Sequence, residues 1–187
     1  PGHSSAASDV YKRQLLLDPY FSATKARWLL KKHKIDPNKY FFGTIDTFLV
    51  WKLTEGKSFK TDVTNASRTS LLNIDSVEWD SNLIDIFELS GLNLPEVTKN
   101  TSDFGSTKLF GGEIKISGIA GDQQASLIGQ GCFATGQLKS TYGTGCFLMA
   151  NTGKKRQNSS NKLLTTIAYQ LDDVCYCLLY TSDAADE

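Results

Sequence analysis

Apolar or amphipathic positions Ala26, Leu29, Leu30 and His33 recur at helical spacing between Ser22 and His33, and Ser22 stands where an N-cap belongs. Pro37 separates this helix from a second, capped by Thr44, in which Ile45, Phe48, Leu49 and Leu53 share one face and Gly56 suits the stop. Residues 61–69 are polar and predict a loop. A short strand over 70–74 and a helix over 82–89, ended by Gly91, follow; residues 95–110 are turn-rich. Residues 114–119 predict an apolar strand that gives way to a helix over about 123–129. Strands over 137–142 and 146–151 are split by Gly143-Thr144-Gly145, a hairpin signal. Residues 154–162 form a charged, polar loop, and 164–169 with 174–176 predict a second hairpin around Leu171-Asp172-Asp173. Mixed strands and helices of this kind mean an α/β fold.

The two ends stand apart. One possible DNA coding of residues 4–14, reverse-complemented and read one base in, translates as Cys-Leu-Leu-Tyr-Thr-Ser-Asp-Ala-Ala-Asp, which is the run that starts at Cys177. Unrelated protein ends are rarely reverse complements of each other. Residues 1–14 and 177–187 therefore read as translated library adapter, and neither is expected to pack on the domain. Residues 15–176 are expected to be the natural stretch, an internal piece of a longer chain.

Twenty Lys and Arg balance twenty Asp and Glu, so no basic field points to nucleic acid. No apolar run is long enough to cross a membrane. Cys132, Cys146, Cys175 and Cys177 lack zinc-ligand spacing, so no metal site is expected of them. Buried thiols in a reduced compartment suit them better, and a cytoplasmic setting is expected.

The candidate chemistry gathers at Ser117-Gly118-Ile119-Ala120-Gly121-Asp122-Gln123-Gln124 and Thr141-Tyr142-Gly143-Thr144-Gly145-Cys146-Phe147. A strand that delivers a lone carboxylate onto a glycine-flexed turn, followed by a glycine turn with a hydroxyl, suits phosphoryl transfer. On spacing alone Asp122 is first a helix-capping residue; its functional alternative is general base toward a substrate hydroxyl. Gln123 is either an exposed first-turn residue or a polyol contact, and Gln124 reads as structural. The Gly143–Gly145 turn needs no ligand to explain it, and Phe147 is either core or a cover for a small carbon skeleton. Tyr20, ahead of a helix, either presents its hydroxyl to a cleft or is a half-buried aromatic. Residues 62–69 read as a segment locking itself through side-chain-to-backbone bonds.

These runs, with Pro19-Tyr20-Phe21-Ser22-Ala23-Thr24-Lys25, Phe42-Gly43-Thr44-Ile45-Asp46-Thr47, Thr64-Asn65-Ala66-Ser67-Arg68-Thr69 and Leu163-Leu164-Thr165-Thr166-Ile167-Ala168, resemble the glycerol-phosphorylating branch of the FGGY carbohydrate kinase family, in family order. The resemblance implies an actin-like, ribonuclease H-like fold, with this chain the middle and later part of the N-terminal FGGY domain. It implies Asp122 as general base on glycerol's terminal hydroxyl, Tyr20 and Gln123 as glycerol contacts and Phe147 packed on the glycerol carbons. It implies Thr144 and Gly145 along the phosphates of ATP, used with Mg2+, in a homo-oligomeric enzyme. Other readings are a kinase for another polyol or sugar such as xylulose, and a non-catalytic actin-like module. Retention of Asp122 and the Thr144 turn argues against the latter. Some bacterial members are inhibited by fructose 1,6-bisphosphate through a glycine-rich loop ending in arginine. Here Leu109-Phe110-Gly111-Gly112-Glu113-Ile114 is shorter and puts an acid about where the arginine belongs, so that regulation is not expected.

Overall fold

The computed structural model describes residues 20–143, 145–161 and 163–183, which divide into two compact units. The first unit, through Ile119, opens with helix α1 (Ser22–His33). Its N-cap is Phe21, and Ser22 is already helical, so the expected serine cap is displaced by one residue. Lys34 closes the helix in the left-handed conformation, its N–H donating to the carbonyls of Leu30 and Lys31. A 3-10 turn over Pro37–Lys39 leads to α2 (Ile45–Leu53). Thr44 is the N-cap of α2 by backbone, but its hydroxyl makes no cap bond to the helix backbone and donates to the Asp46 carboxylate.

The face that α2 buries carries Asp46, Thr47 and Val50, while Ile45, Phe48 and Leu49 are exposed. The inward side is set by a polar anchor: Thr61 Oγ1, on strand β1 (Lys60–Asp62), donates to Asp46 Oδ2 at 2.7 Å. The loop expected over 61–69 is instead strand β1 and the short helix α3 (Val63–Ala66). The expected self-locking is present and explains the change: Asp62 accepts from the backbone N–H of Thr64 and Asn65, and Thr69 Oγ1 donates to the Ala66 carbonyl.

Strand β2 (Leu72–Asn73) pairs with β3 (Glu78–Trp79), shorter than the expected strand because Ser70 already has positive φ. Helix α4 (Ser81–Ile86) is capped by the Asp80 carboxylate and ends before residue 89, where Glu88 turns left-handed. The turn-rich stretch 95–110 contains β4 (Glu96–Thr98), parallel to β1, and β5 (Ser106–Thr107), antiparallel to β6 (Ile114–Lys115). Leu71, Leu83, Leu89 and Phe104 are buried in this unit. The strand expected over 114–119 stops after Lys115, and Ile114 is half exposed.

The second unit begins at Ala120 and contains α5 (Asp122–Gly129) and strands β7 (Leu138–Tyr142), β8 (Gly145–Gly153), β9 (Leu164–Gln170) and β10 (Val174–Asp183). The four strands form one antiparallel sheet in the order β7-β8-β10-β9. Both expected hairpins form. Helix α5 packs on β7 and β9, and Leu127 joins Cys132, Met149, Ala168, Tyr169, Cys175, Cys177 and Leu179 in the core. The expectation that the C-terminal tail stays off the domain fails at residues 177–181. Strand β10 runs on through them between β8 and β9, and Cys177 and Leu179 are buried. Alternation explains this: Cys177 and Leu179 point to the helix-covered face, as any strand of that pattern can. The segment 1–14 and Thr144 lie outside the described residues.

Candidate active site

Asp122 is the first residue of α5, not the end of a buried strand. Gly121 is its N-cap and the carboxylate is exposed. An acid in a helix's first turn is favoured by the helix dipole. Its Oδ1 accepts from the Gln123 backbone N–H at 2.8 Å, and its Oδ2 from Gln123 Nε2 at 3.3 Å. Asp122 therefore stands one residue inside the cap position that its spacing suggested, and its carboxylate is accessible.

Gln123 is half-buried. Its Oε1 accepts from Lys139 Nζ, which also donates to Thr141 Oγ1 at 2.8 Å. Lys139 and Thr141 lie two residues apart on β7 and so face the same side of the sheet. Thr141 is opposite Phe147 across the hairpin, and Lys139 is opposite Met149. Cross-strand partners share a face, so Phe147 belongs to the same surface; it is partly buried against the core. Gln124 points inward, its Nε2 donating to the Ile167 carbonyl at 3.4 Å, which is the structural role expected of it.

Lys139 is fully buried. Burial holds its ammonium below the ordinary value of 10.5, while the Asp122 carboxylate pulls the other way. Sequence reasoning missed this residue. The available signal was a lysine on the strand face whose neighbours two and eight residues on are Thr141 and Phe147, the side that carries the site.

The glycine turn closes with the Gly143 N–H on the Gly145 carbonyl at 3.1 Å. A Cβ at Gly143 would meet the Gly145 carbonyl oxygen at 4.0 Å, so apart from its chain neighbours that side of the backbone is uncrowded. Gly145 opens β8. Tyr20 lies in the first unit, half exposed, with the Arg68 guanidinium 4.6 Å above its ring and Phe21 edge-on at 5.7 Å. Among the described residues no three His, Cys, Asp or Glu side chains cluster as metal ligands, and no helix is long and apolar enough to cross a membrane.

The N-terminal-domain model of the FGGY family of carbohydrate kinases matches residues 4–129. The glycerol kinase of Sinorhizobium fredii (strain NBRC 101917 / NGR234) is 56% identical over 168 residues, covering 86% of this chain and 34% of that protein. The glycerol kinase of Gluconobacter oxydans (strain 621H) is 54% identical over 167 residues, 86% of this chain and 33% of the relative. The crystal structure of Plasmodium falciparum glycerol kinase with ADP superposes with a TM-score of 0.82 at 41% identity, over 90% of this chain and 36% of that one. The chain thus spans about a third of the length of the curated relatives it matches. A carboxylate at a helix start beside a glycine hairpin, within a chain matched so closely over most of its own length, has one reading at the level of family: this chain belongs to the FGGY carbohydrate kinases, with their actin-like fold.

Proposed function

We propose that the complete protein is an ATP-dependent glycerol kinase, a cytoplasmic homo-oligomer that transfers the γ-phosphoryl group of ATP to a terminal hydroxyl of glycerol, giving sn-glycerol 3-phosphate and ADP. The observation that carries this is the exposed Asp122 carboxylate, held by Gln123 at the start of α5. Similarity to two bacterial glycerol kinases above 50% identity supports glycerol over xylulose or another polyol.

In this reading Asp122 accepts the hydroxyl proton as the oxygen–phosphorus bond forms and the bond to the ADP oxygen breaks. Gln123 and Tyr20 bond glycerol hydroxyls, and Phe147 covers the carbons. Thr144 and Gly145 line the nucleotide phosphates. Mg2+ would neutralise phosphate charge. Of this chain's residues, Asp122 is the carboxylate at hand to hold the cation, directly or through water.

The test is steady-state kinetics of the full-length enzyme with glycerol and ATP varied separately. Asp122→Asn keeps the shape and removes the basicity, so kcat should fall roughly a hundredfold or more. Glycerol affinity should fall less. Thr144→Val should act mainly on the KM for ATP. A near-normal kcat in Asp122→Asn returns Asp122 to helix support alone. A kcat/KM for xylulose above that for glycerol replaces the substrate.

A further inference from the structure

Lys139 needs a reason. Taking an ammonium out of water is costly, and lysine is rarely fully buried without partners. Here the side chain is 1% exposed, and both acceptors of its Nζ, Thr141 Oγ1 and Gln123 Oε1, are neutral oxygens. A hydrophobic residue opposite Met149 would fill the same space with no such cost.

What the lysine does follows from donor–acceptor chemistry. An ammonium only donates, whereas a glutamine amide has an accepting oxygen and a donating nitrogen that can exchange places by rotation. Lys139 removes the choice. The Gln123 oxygen must face Nζ, and the NH2 group must face the other way, where it lies 3.3 Å from Asp122 Oδ2. We propose that Lys139 is a positioning residue that fixes Gln123 as a hydrogen-bond donor, so that Gln123 donates to the oxygen of the substrate hydroxyl while Asp122 accepts that hydroxyl's proton. This rests on the reading of Asp122 and Gln123 as substrate contacts and adds a polarity to it. A hydroxyl bound this way has its lone pair held by Gln123 and its hydrogen aimed at the base. With the amide reversed, two acceptors would compete for one proton, and nothing would orient the attacking oxygen.

The experiment uses the full-length enzyme and four variants: Lys139→Met, Gln123→Ala, the two combined, and Gln123→Glu. Methionine keeps the length and apolar stem of lysine but donates nothing. Lys139→Met should lower kcat/KM for glycerol about tenfold, the scale of one hydrogen bond, and leave the KM for ATP within about twofold. The double variant should lose clearly less than the product of the single losses, because both substitutions remove the same oriented donor. Gln123→Glu is the decisive variant: it gives Lys139 an ionic partner, so the melting temperature should hold or rise. Yet glycerol binding by calorimetry should be lost about as far as in Gln123→Ala. Retained glycerol binding in Gln123→Glu overturns the proposal. So do fully multiplicative losses in the double variant. A Lys139→Met enzyme with a lowered melting temperature and unchanged glycerol kcat/KM also does so, since that is a packing role only. Calorimetry needs no turnover. A wrong base assignment, seen as a normal kcat in Asp122→Asn, is therefore distinguishable from a failure of the Lys139–Gln123 clamp.

Discussion

At the scale of single residues, Asp62 and Asp122 show how differently one side chain can be used. Asp122 is exposed and accepts from its neighbour alone among the bonds described, which suits a group that must meet substrate. Asp62 is fully buried. Its Oδ2 accepts from the Thr64 backbone at 2.7 Å, from the Thr64 hydroxyl and from Asn100 Nδ2 at 2.7 Å; its Oδ1 accepts from Asn65 Nδ2 at 2.6 Å. Asn100 in turn donates to the Ile119 carbonyl at 2.8 Å, so Asp62 ties β1 to the segment that closes the first unit. Either orientation of an asparagine amide at position 62 would point donors at donors. Asp62→Asn should cost about 2–3 kcal/mol, the scale of an unsatisfied buried polar group, read as a lowered melting temperature of the chain. A pH series gives a second readout. Burial, the largest influence, holds the Asp62 carboxyl above its ordinary value of 3.8, against the hydrogen bonds of Thr64 and Asn65, which favour the ion. The folded state therefore binds this proton more tightly than the unfolded chain. Its contribution to stability is full below the ordinary value and declines as pH rises through the raised one. Asp62→Asn should remove that falling component. A variant curve parallel to the parent's at every pH contradicts the assignment.

At the scale of elements, the β7–β8 hairpin positions the site, and its far end depends on Gly153. That residue has φ +75°, and a Cβ there would stand 2.4 Å from Thr135 Oγ1. Gly153→Ala should destabilise the chain by about 1–3 kcal/mol through backbone strain and the contact together. Adding Thr135→Ala, which removes Oγ1, should relieve the contact and leave the backbone part of the loss in place, and chemical unfolding of Gly153→Ala, Thr135→Ala and the double variant measures both. Equal stability of Gly153→Ala and parent sinks this account. The same hairpin was readable from the sequence, because two strand-forming runs flank the Gly143-Thr144-Gly145 turn. Helix α5 was readable to within a residue of its start. Residues 61–69 and 114–119 were not. In the first, polar residues that look like a loop are buried because they satisfy one another, Asp62 above all. In the second, apolar Ile114 and Ile116 alternate with polar Lys115 and Ser117, but β6 pairs with only two residues of β5, so the pattern exceeds the partner. Asp122 and Gln123 were found by motif; Lys139 was missed because a strand lysine ordinarily faces solvent.

At the scale of the molecule, the proposed division at residues 14/15 and 176/177 is tested by the genomic locus. Finding both terminal peptides encoded there, in frame with 15–176, removes the adapter explanation. The burial of Cys177 and Leu179 has its own consequence: deletion of 177–187 should unfold or weaken the second unit, whatever the origin of the segment, because β10 lies between β8 and β9.

The larger consequence concerns α2. Its residues Ile45, Phe48, Leu49 and Trp51 are 69, 50, 49 and 44% exposed, and Phe41 before it is 71% exposed. Phe41, Phe48 and Trp51 line one cavity of about 510 Å³ with Phe42 and Phe59. An apolar patch of this kind marks a surface made for contact. Phosphoryl transfer also depends on two domains closing around nucleotide and acceptor, and the chain spans about a third of its relatives. The chain alone should therefore make no glycerol 3-phosphate and should self-associate through α2. Light scattering during size-exclusion chromatography checks the second point, and Phe48→Lys, which changes an exposed side chain, should reduce association without lowering the melting temperature. A monodisperse monomer at tens of micromolar would show that α2 needs no cover. Glycerol 3-phosphate production by the purified chain, abolished by Asp122→Asn, would show that the chain needs no further domain to turn over.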